Sequence, residues 1–327
     1  MVRQNSAQMD YSEAMAHAVG QAMEADEQVF VYGEGINDPG AYLGSTAGLS
    51  ARFGTRRCFD VPNCEDALVG LGVGTALMGY RPLLVSLRVD FLMLAMNQII
   101  NHAARWPAMT GYQTAVPLTI RALIGKSWGQ AAQHSGSLYS MFANVPGLEV
   151  VLPSSPLEGA GLVLSALCSP LTTLVIEERG IFDAQQRVPR LIEPIPFGQA
   201  NTVRSGRDIT LVAVSSMVRF AAEVADRVAA DGVEAEVIDL RTVRPLDEGT
   251  IRESVRRTGS VAVFDIGWPS FGLGAEVSRV ILESGGLRRP LLNIHRKDEH
   301  TPSSVFLEYG HYPIVEDVVA QVKRLLA

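Results

Sequence analysis

Apolar and polar positions along this chain follow two rhythms. Short apolar runs such as Val29-Phe30-Val31-Tyr32 fit strands buried on both faces. Between them lie longer stretches with apolar residues at helical spacing, such as Ala14, Val19 and Met23 within residues 11–24. The pattern predicts strands over 29–32, 58–61, 82–86, 116–122, 148–152 and 174–177. Helices are predicted over 11–24, 65–78, 91–105 and 156–168, the third ended by Pro107. Residues 183–206 carry Pro189, Pro194 and Pro196 without a clear period, which reads as a linker. Beyond it, strands at 209–214, 235–239, 260–265 and 291–294 alternate with helices at 218–231, 247–258, 274–284 and 314–326. Such alternation predicts an α/β fold of two doubly wound domains, residues 1–190 and 191–327.

Composition sharpens this picture. Of 327 residues, 47% are hydrophobic and only 19% charged, so large cores form and part of the surface is expected to lie under other subunits. The net charge of −7, with no basic tract, argues against a nucleic-acid partner. Residues 67–80 are mostly apolar but too short to span a bilayer, so no membrane is expected. Residues 1–10 lack the apolar segment of a secretory leader, and Cys58, Cys64 and Cys168 form no CxxC pair or metal-ligand spacing. A cytoplasmic chain with reduced thiols and no metal site of its own is expected.

Several residues carry candidate chemistry. Glu65 follows Asp60-Val61-Pro62-Asn63-Cys64, where a strand breaks and a helix begins. A carboxylate there is stabilised by the helix dipole; it also stands at the kind of junction where open α/β sheets bind ligands. His134 lies in the polar loop Gly129-Gln130-Ala131-Ala132-Gln133-His134-Ser135-Gly136 and is either a surface residue or a proton-transfer group. Phe91 is a core residue or a stacking platform for a planar ring. Gly70, Gly72 and Gly74 fall inside a helix, which suits close packing and fails the dinucleotide-loop pattern. Gly272-Leu273-Gly274 precedes a helix and could cradle an anion.

Together these stretches resemble the beta subunits of the thiamine-diphosphate-dependent 2-oxo acid dehydrogenases of the pyruvate, branched-chain and acetoin types. The resemblance is carried by GEGINDPGAYLGSTAGLSARFG, FDVPNCEDALVGLGVGTALMGYRPLL, MNQIINHAARW, AAQHS followed by FANVPGLEVVLPSSP, EVIDLRTVRPLD and FGLGAEV. It implies a pyrimidine-binding domain followed by a transketolase C-terminal-like domain that chiefly builds the subunit interface. It implies that Glu65 contacts the aminopyrimidine ring of the cofactor, that Leu87 and Phe91 line or stack on that ring, that Glu34 stands behind Glu65, and that His134 faces the substrate. In such chemistry a carboxylic acid at the distal ring nitrogen lets the cofactor lose its thiazolium proton, attack a 2-oxo acid, release carbon dioxide and pass an acyl equivalent, as an enamine, to an acceptor. An amide cannot supply that proton, so Glu65→Gln should be crippled while folded.

The GDG segment with which thiamine enzymes hold Mg²⁺ and diphosphate does not occur in the chain. The resemblance therefore implies that an alpha subunit holds Mg²⁺ and the diphosphate, in an alpha2beta2 assembly with a beta–beta dimer, and that a lipoyl acyltransferase can be a partner. Gly35, Val85, Arg88 and Ser169 depart from the family pattern, the last near a structural potassium ion in relatives. Two other readings stay open: a split transketolase-like or carboligating enzyme passing an acyl or ketol unit to a carbonyl or sugar, and an idle scaffold that keeps the fold.

Overall fold

The computed structural model describes residues 6–38, 40–125 and 129–327. Expectations for residues 1–5, 39 and 126–128 lie outside the described residues. The chain forms two compact units. One holds the described residues up to Ile124 with Met141–Phe197; the other holds those of Gly125–Ser140 with Gly198–Ala327.

The first unit contains strands β1 (Ser6–Asp10), β2 (Val29–Gly33), β3 (Cys58–Asp60), β4 (Arg81–Ser86), β5 (Thr119–Ile124), β6 (Leu148–Val151), β7 (Thr172–Glu178) and β8 (Gln185–Pro189). Its long helices are α1 (Tyr11–Ala25), α2 (Glu65–Leu77) and α3 (Pro156–Cys168). The central strands run in the order β6-β7-β5-β4-β2-β3, all parallel. Alternate residues face opposite sides. Val31, Leu83 and Val85 join Tyr11, Ala14 and Met15 of α1 and Ala160 and Val163 of α3 in one core. Tyr32 points the other way, where its hydroxyl donates to Leu68 O of α2 at 2.8 Å. A Cβ on Gly72 would come within 2.4 Å of that hydroxyl and 2.7 Å of Leu118, so one of the three helical glycines is required by packing. Helix α1 opens with reciprocal capping, in which Asp10 accepts from Glu13 N at 2.8 Å and Glu13 accepts from Asp10 N at 2.9 Å.

Three expectations are corrected here. The linker is not featureless, because β8 pairs antiparallel with β1 from Ser6↔Pro189 to Asp10↔Gln185. The single helix expected over 91–105 is instead a short helix at Val89–Leu92, a tight turn at Met93–Ala95 and a π-helical stretch at Asn97–Ala104. Pro107 lies in the first turn of a further short helix, Trp106–Met109, rather than ending one; a first-turn residue needs no N–H partner, so proline is tolerated there.

The second unit contains β9 (Asn201–Arg204), β10 (Ile209–Ala213), β11 (Ala235–Asp239), β12 (Val261–Phe264) and β13 (Leu292–Ile294). They are ordered β13-β12-β10-β11-β9, parallel except for the antiparallel edge strand β9. Helices α4 (Ser216–Ala229), α5 (Glu248–Thr258), α6 (Leu273–Glu283) and α7 (Val315–Leu326) accompany them. Among the described residues, no helix is long and apolar enough to cross a membrane.

Candidate functional site

Parallel strands deliver their following loops to one sheet edge, the usual place for a ligand in an open α/β sheet. Three neighbouring strands do so here. Gly33 at the end of β2 pairs with Asp60 of β3 on one side and Val85 of β4 on the other. The residues that follow are Glu34, the 61–65 turn with Glu65, and Leu87. Four of the five residues singled out from sequence (Glu34, Glu65, Leu87 and Phe91) therefore leave the same edge of the first unit.

The backbone there is packed tightly. A Cβ on Gly33, at φ +154°, would lie 2.1 Å from Val85 O, so only glycine lets β2 and β4 approach this closely. Glu34 N donates to the same carbonyl at 3.3 Å, and Val61 N donates to Gly33 O at 3.1 Å. Asp60 holds the loop beyond Glu34, accepting from Ile36 N at 2.5 Å and Asn37 N at 3.1 Å. Glu65 is the first residue of α2, half-buried, in the positive field of the helix N-terminus. Glu34 is 6% exposed. Burial first, and the charge of Glu65 second, push the Glu34 carboxyl up from its ordinary range. Leu87 is partly exposed and Phe91, in the Val89–Leu92 turn, half-buried. This donor set fits a planar, nitrogen-bearing ring: two carboxyls in one field, with an aliphatic and an aromatic side chain from the adjoining loop. Among the described residues, no three His, Cys, Asp or Glu side chains are grouped to hold a metal.

His134 belongs to the other unit, in a short turn over Ala132–His134. It is half-buried. Ala131 before it has φ +63° and ψ −164°, a region almost reserved for glycine. Arg296 donates to Ser135 O at 2.7 Å, and Glu308 accepts from Gly129 N at 2.9 Å.

Sequence reasoning missed two buried polar centres. Arg121 and Glu177, both wholly buried, form a two-pronged ion pair at 2.7 and 3.1 Å. Arg121 also donates to Ser45 Oγ at 2.9 Å and lies over the Tyr42 ring at 4.9 Å. Charged residues inside the apolar runs of β5 and β7 were the available signal. The second centre is Asp265, which accepts from the Tyr139 hydroxyl, Gly267 N (2.8 Å) and Gly274 N (3.0 Å). Gly274 N, in the segment that could cradle an anion, is thus already taken by the chain's own Asp265 side chain. The Ser169 hydroxyl donates to Glu149 at 2.6 Å.

The transketolase pyrimidine binding domain matches residues 7–183, and the transketolase C-terminal domain matches residues 198–316. The pyruvate dehydrogenase E1 component subunit beta of Rickettsia conorii is 36% identical over 321 residues, 97% of this chain and 98% of that one. The acetoin:2,6-dichlorophenolindophenol oxidoreductase subunit beta of Cupriavidus necator is 34% identical over 325 residues, 96% of each. In fold, the chain is similar to a split-gene transketolase solved as an inactive beta4 tetramer, at TM-score 0.81 and 22% identity, covering 97% of this chain and 98% of that one. Two domains in this order, and relatives matched along nearly their whole length, place the chain in a family: it belongs to the transketolase-like beta subunits of thiamine-diphosphate-dependent 2-oxo acid dehydrogenases.

Proposed function

We propose that this chain builds the pyrimidine half of a thiamine diphosphate site, with Glu65 as its acid, and that an alpha subunit completes the site with Mg²⁺ and the diphosphate cradle. When bound, thiamine diphosphate supplies the nucleophilic carbon that takes up a 2-oxo acid and releases carbon dioxide. Glu65 presents its carboxyl to the aminopyrimidine as the acid of the site. Glu34 keeps its own proton beyond the ordinary carboxylate range and so provides a nearby reserve. Phe91 and Leu87 present apolar surface to the ring and exclude water from it. His134 orients the substrate or acceptor and moves protons. The single observation that carries this reading is the Glu34–Glu65 pair on adjoining loops at one sheet edge.

The proposed assembly is alpha2beta2 about a beta–beta dimer, in the cytoplasm, with a lipoyl acyltransferase as one acceptor. The test is to copurify the chain with its alpha partner and follow carbon dioxide release from pyruvate and branched 2-oxo acids. We expect release with the assembled wild type and none with Glu65→Gln of equal assembly. Full activity of that variant would refute the role of Glu65. Turnover of sugar phosphates but of no 2-oxo acid would identify a split transketolase instead.

A further inference from the structure

We infer that the second unit is a positioning device for His134: Arg296, Glu308 and Asp265 grip the 129–140 loop and fix where its imidazole stands. This goes beyond an interface role for that unit, and it rests on the proposed assignment of His134.

The loop is held at three points. At its start, Gly129 N donates to Glu308, which is 3% exposed. Gly129 sits at φ +78°, and a Cβ there would meet Ser303 O at 2.8 Å, so backbone lies against backbone. In the middle, Arg296 donates to the carbonyl of Ser135, the residue beside His134. Arg296 is wholly buried, with its guanidinium 4.9 Å from the Trp268 ring and 5.1 Å from the Tyr312 ring, and it also donates to Thr301 Oγ1. A cation packed between two rings has little freedom, and its partner is main chain, so the grip acts on the loop's path itself. At the end, the wholly buried Tyr139 donates to Asp265, which two backbone N–H groups also hold.

Ala131 supplies an independent sign that the loop is forced. Its backbone conformation is strained for any residue but glycine and persists only where the surroundings over-determine it. The strained residue lies between the Glu308 and Arg296 grips, three positions before His134. A misplacement of about 1 Å in a reacting group can cost about 10²-fold in rate, which is the scale on which such a device matters. Arg296 is therefore a positioning residue, not a catalytic one.

The test uses the enzyme assembled with its alpha partner. Arg296→Met, Arg296→Lys, His134→Ala, the Arg296→Met/His134→Ala double variant and Tyr139→Phe are compared by kcat against pH and by calorimetric titration of thiamine diphosphate. Arg296→Met should lower kcat by roughly 10²-fold while cofactor affinity and stoichiometry hold. Its pH profile should take the shape of His134→Ala, and the double variant should be no slower than His134→Ala alone. Arg296→Lys, which keeps a donor for Ser135 O, should recover about tenfold. If Arg296→Met does not assemble, Tyr139→Phe, which removes one oxygen, should shift the profile in the same sense. Multiplied losses in the double variant, or an unchanged profile in the single variants, would overturn the inference alone. A fully active His134→Ala would overturn the histidine assignment and the inference with it.

Discussion

Glu34 and Glu65 follow neighbouring strands, and one of them is buried in the field of the other. Because the folded-state pKa of Glu34 is raised, the unfolded chain gives up that proton first as pH rises. In the window between the ordinary glutamate range and the raised value, the native state binds more protons than the unfolded state, so stability falls with rising pH. Glu34→Gln should remove this slope. The gap between the melting curves of wild type and variant should narrow or reverse as pH climbs through that window and be constant below it. Melting temperatures across a pH series check this; parallel curves throughout would mean that Glu34 titrates normally. Glu65 and His134 could be singled out from sequence because each breaks its local pattern, an acid at a helix start after proline and a histidine in a polar loop. The Glu34–Glu65 coupling could not be singled out that way, because it depends on the lateral order of β2 and β3, which periodicity does not encode.

Among the elements, the buried Arg121–Glu177 pair ties β5 to β7, and through Ser45 and Tyr42 it ties both to residues 42–45. Burial, and then the Glu177 charge, hold the Tyr11 and Tyr42 hydroxyls neutral. Arg121→Met should cost about 3–5 kcal/mol, because it strands Glu177 in a dry core. Pairing it with Glu177→Leu should recover most of that, as measured by denaturant unfolding. Asp247 supports a different element, capping α5 through Thr250 N at 3.0 Å and Thr250 Oγ1 at 2.7 Å and accepting from Ala200 N at 2.9 Å. Burial raises its pKa, but these hydrogen bonds outweigh burial and the net shift is downward. Its contribution is therefore present above the ordinary aspartate range and lost as pH falls through the lowered value. Asp247→Ala should cost about 1–2 kcal/mol at neutral pH and less in acid, read from melting at the two conditions. Long periodic elements such as α3 and β11 lie where the hydrophobic rhythm put them. The pairing of β1 with β8 was not legible, because both strands are short and half-exposed and find each other only across the folded unit.

For the whole molecule, the family and the two-module architecture were legible because many ordered motifs span the chain. The membership of residues 129–140 was not, because a contact that holds them, Arg296 to Ser135, bridges 161 positions of sequence. A site shared between polypeptides has a further consequence. The chain purified alone should bind thiamine diphosphate weakly and release no carbon dioxide from 2-oxo acids, and adding the alpha subunit should restore both, by titration calorimetry and by gas release. Full turnover by the isolated chain would contradict a divided site. The most direct test of the central claim is the rate at which the thiazolium C2 proton of bound thiamine diphosphate exchanges with deuterium in the assembled enzyme. Wild type should exchange it orders of magnitude faster than Glu65→Gln with equal cofactor bound; equal rates would contradict the account.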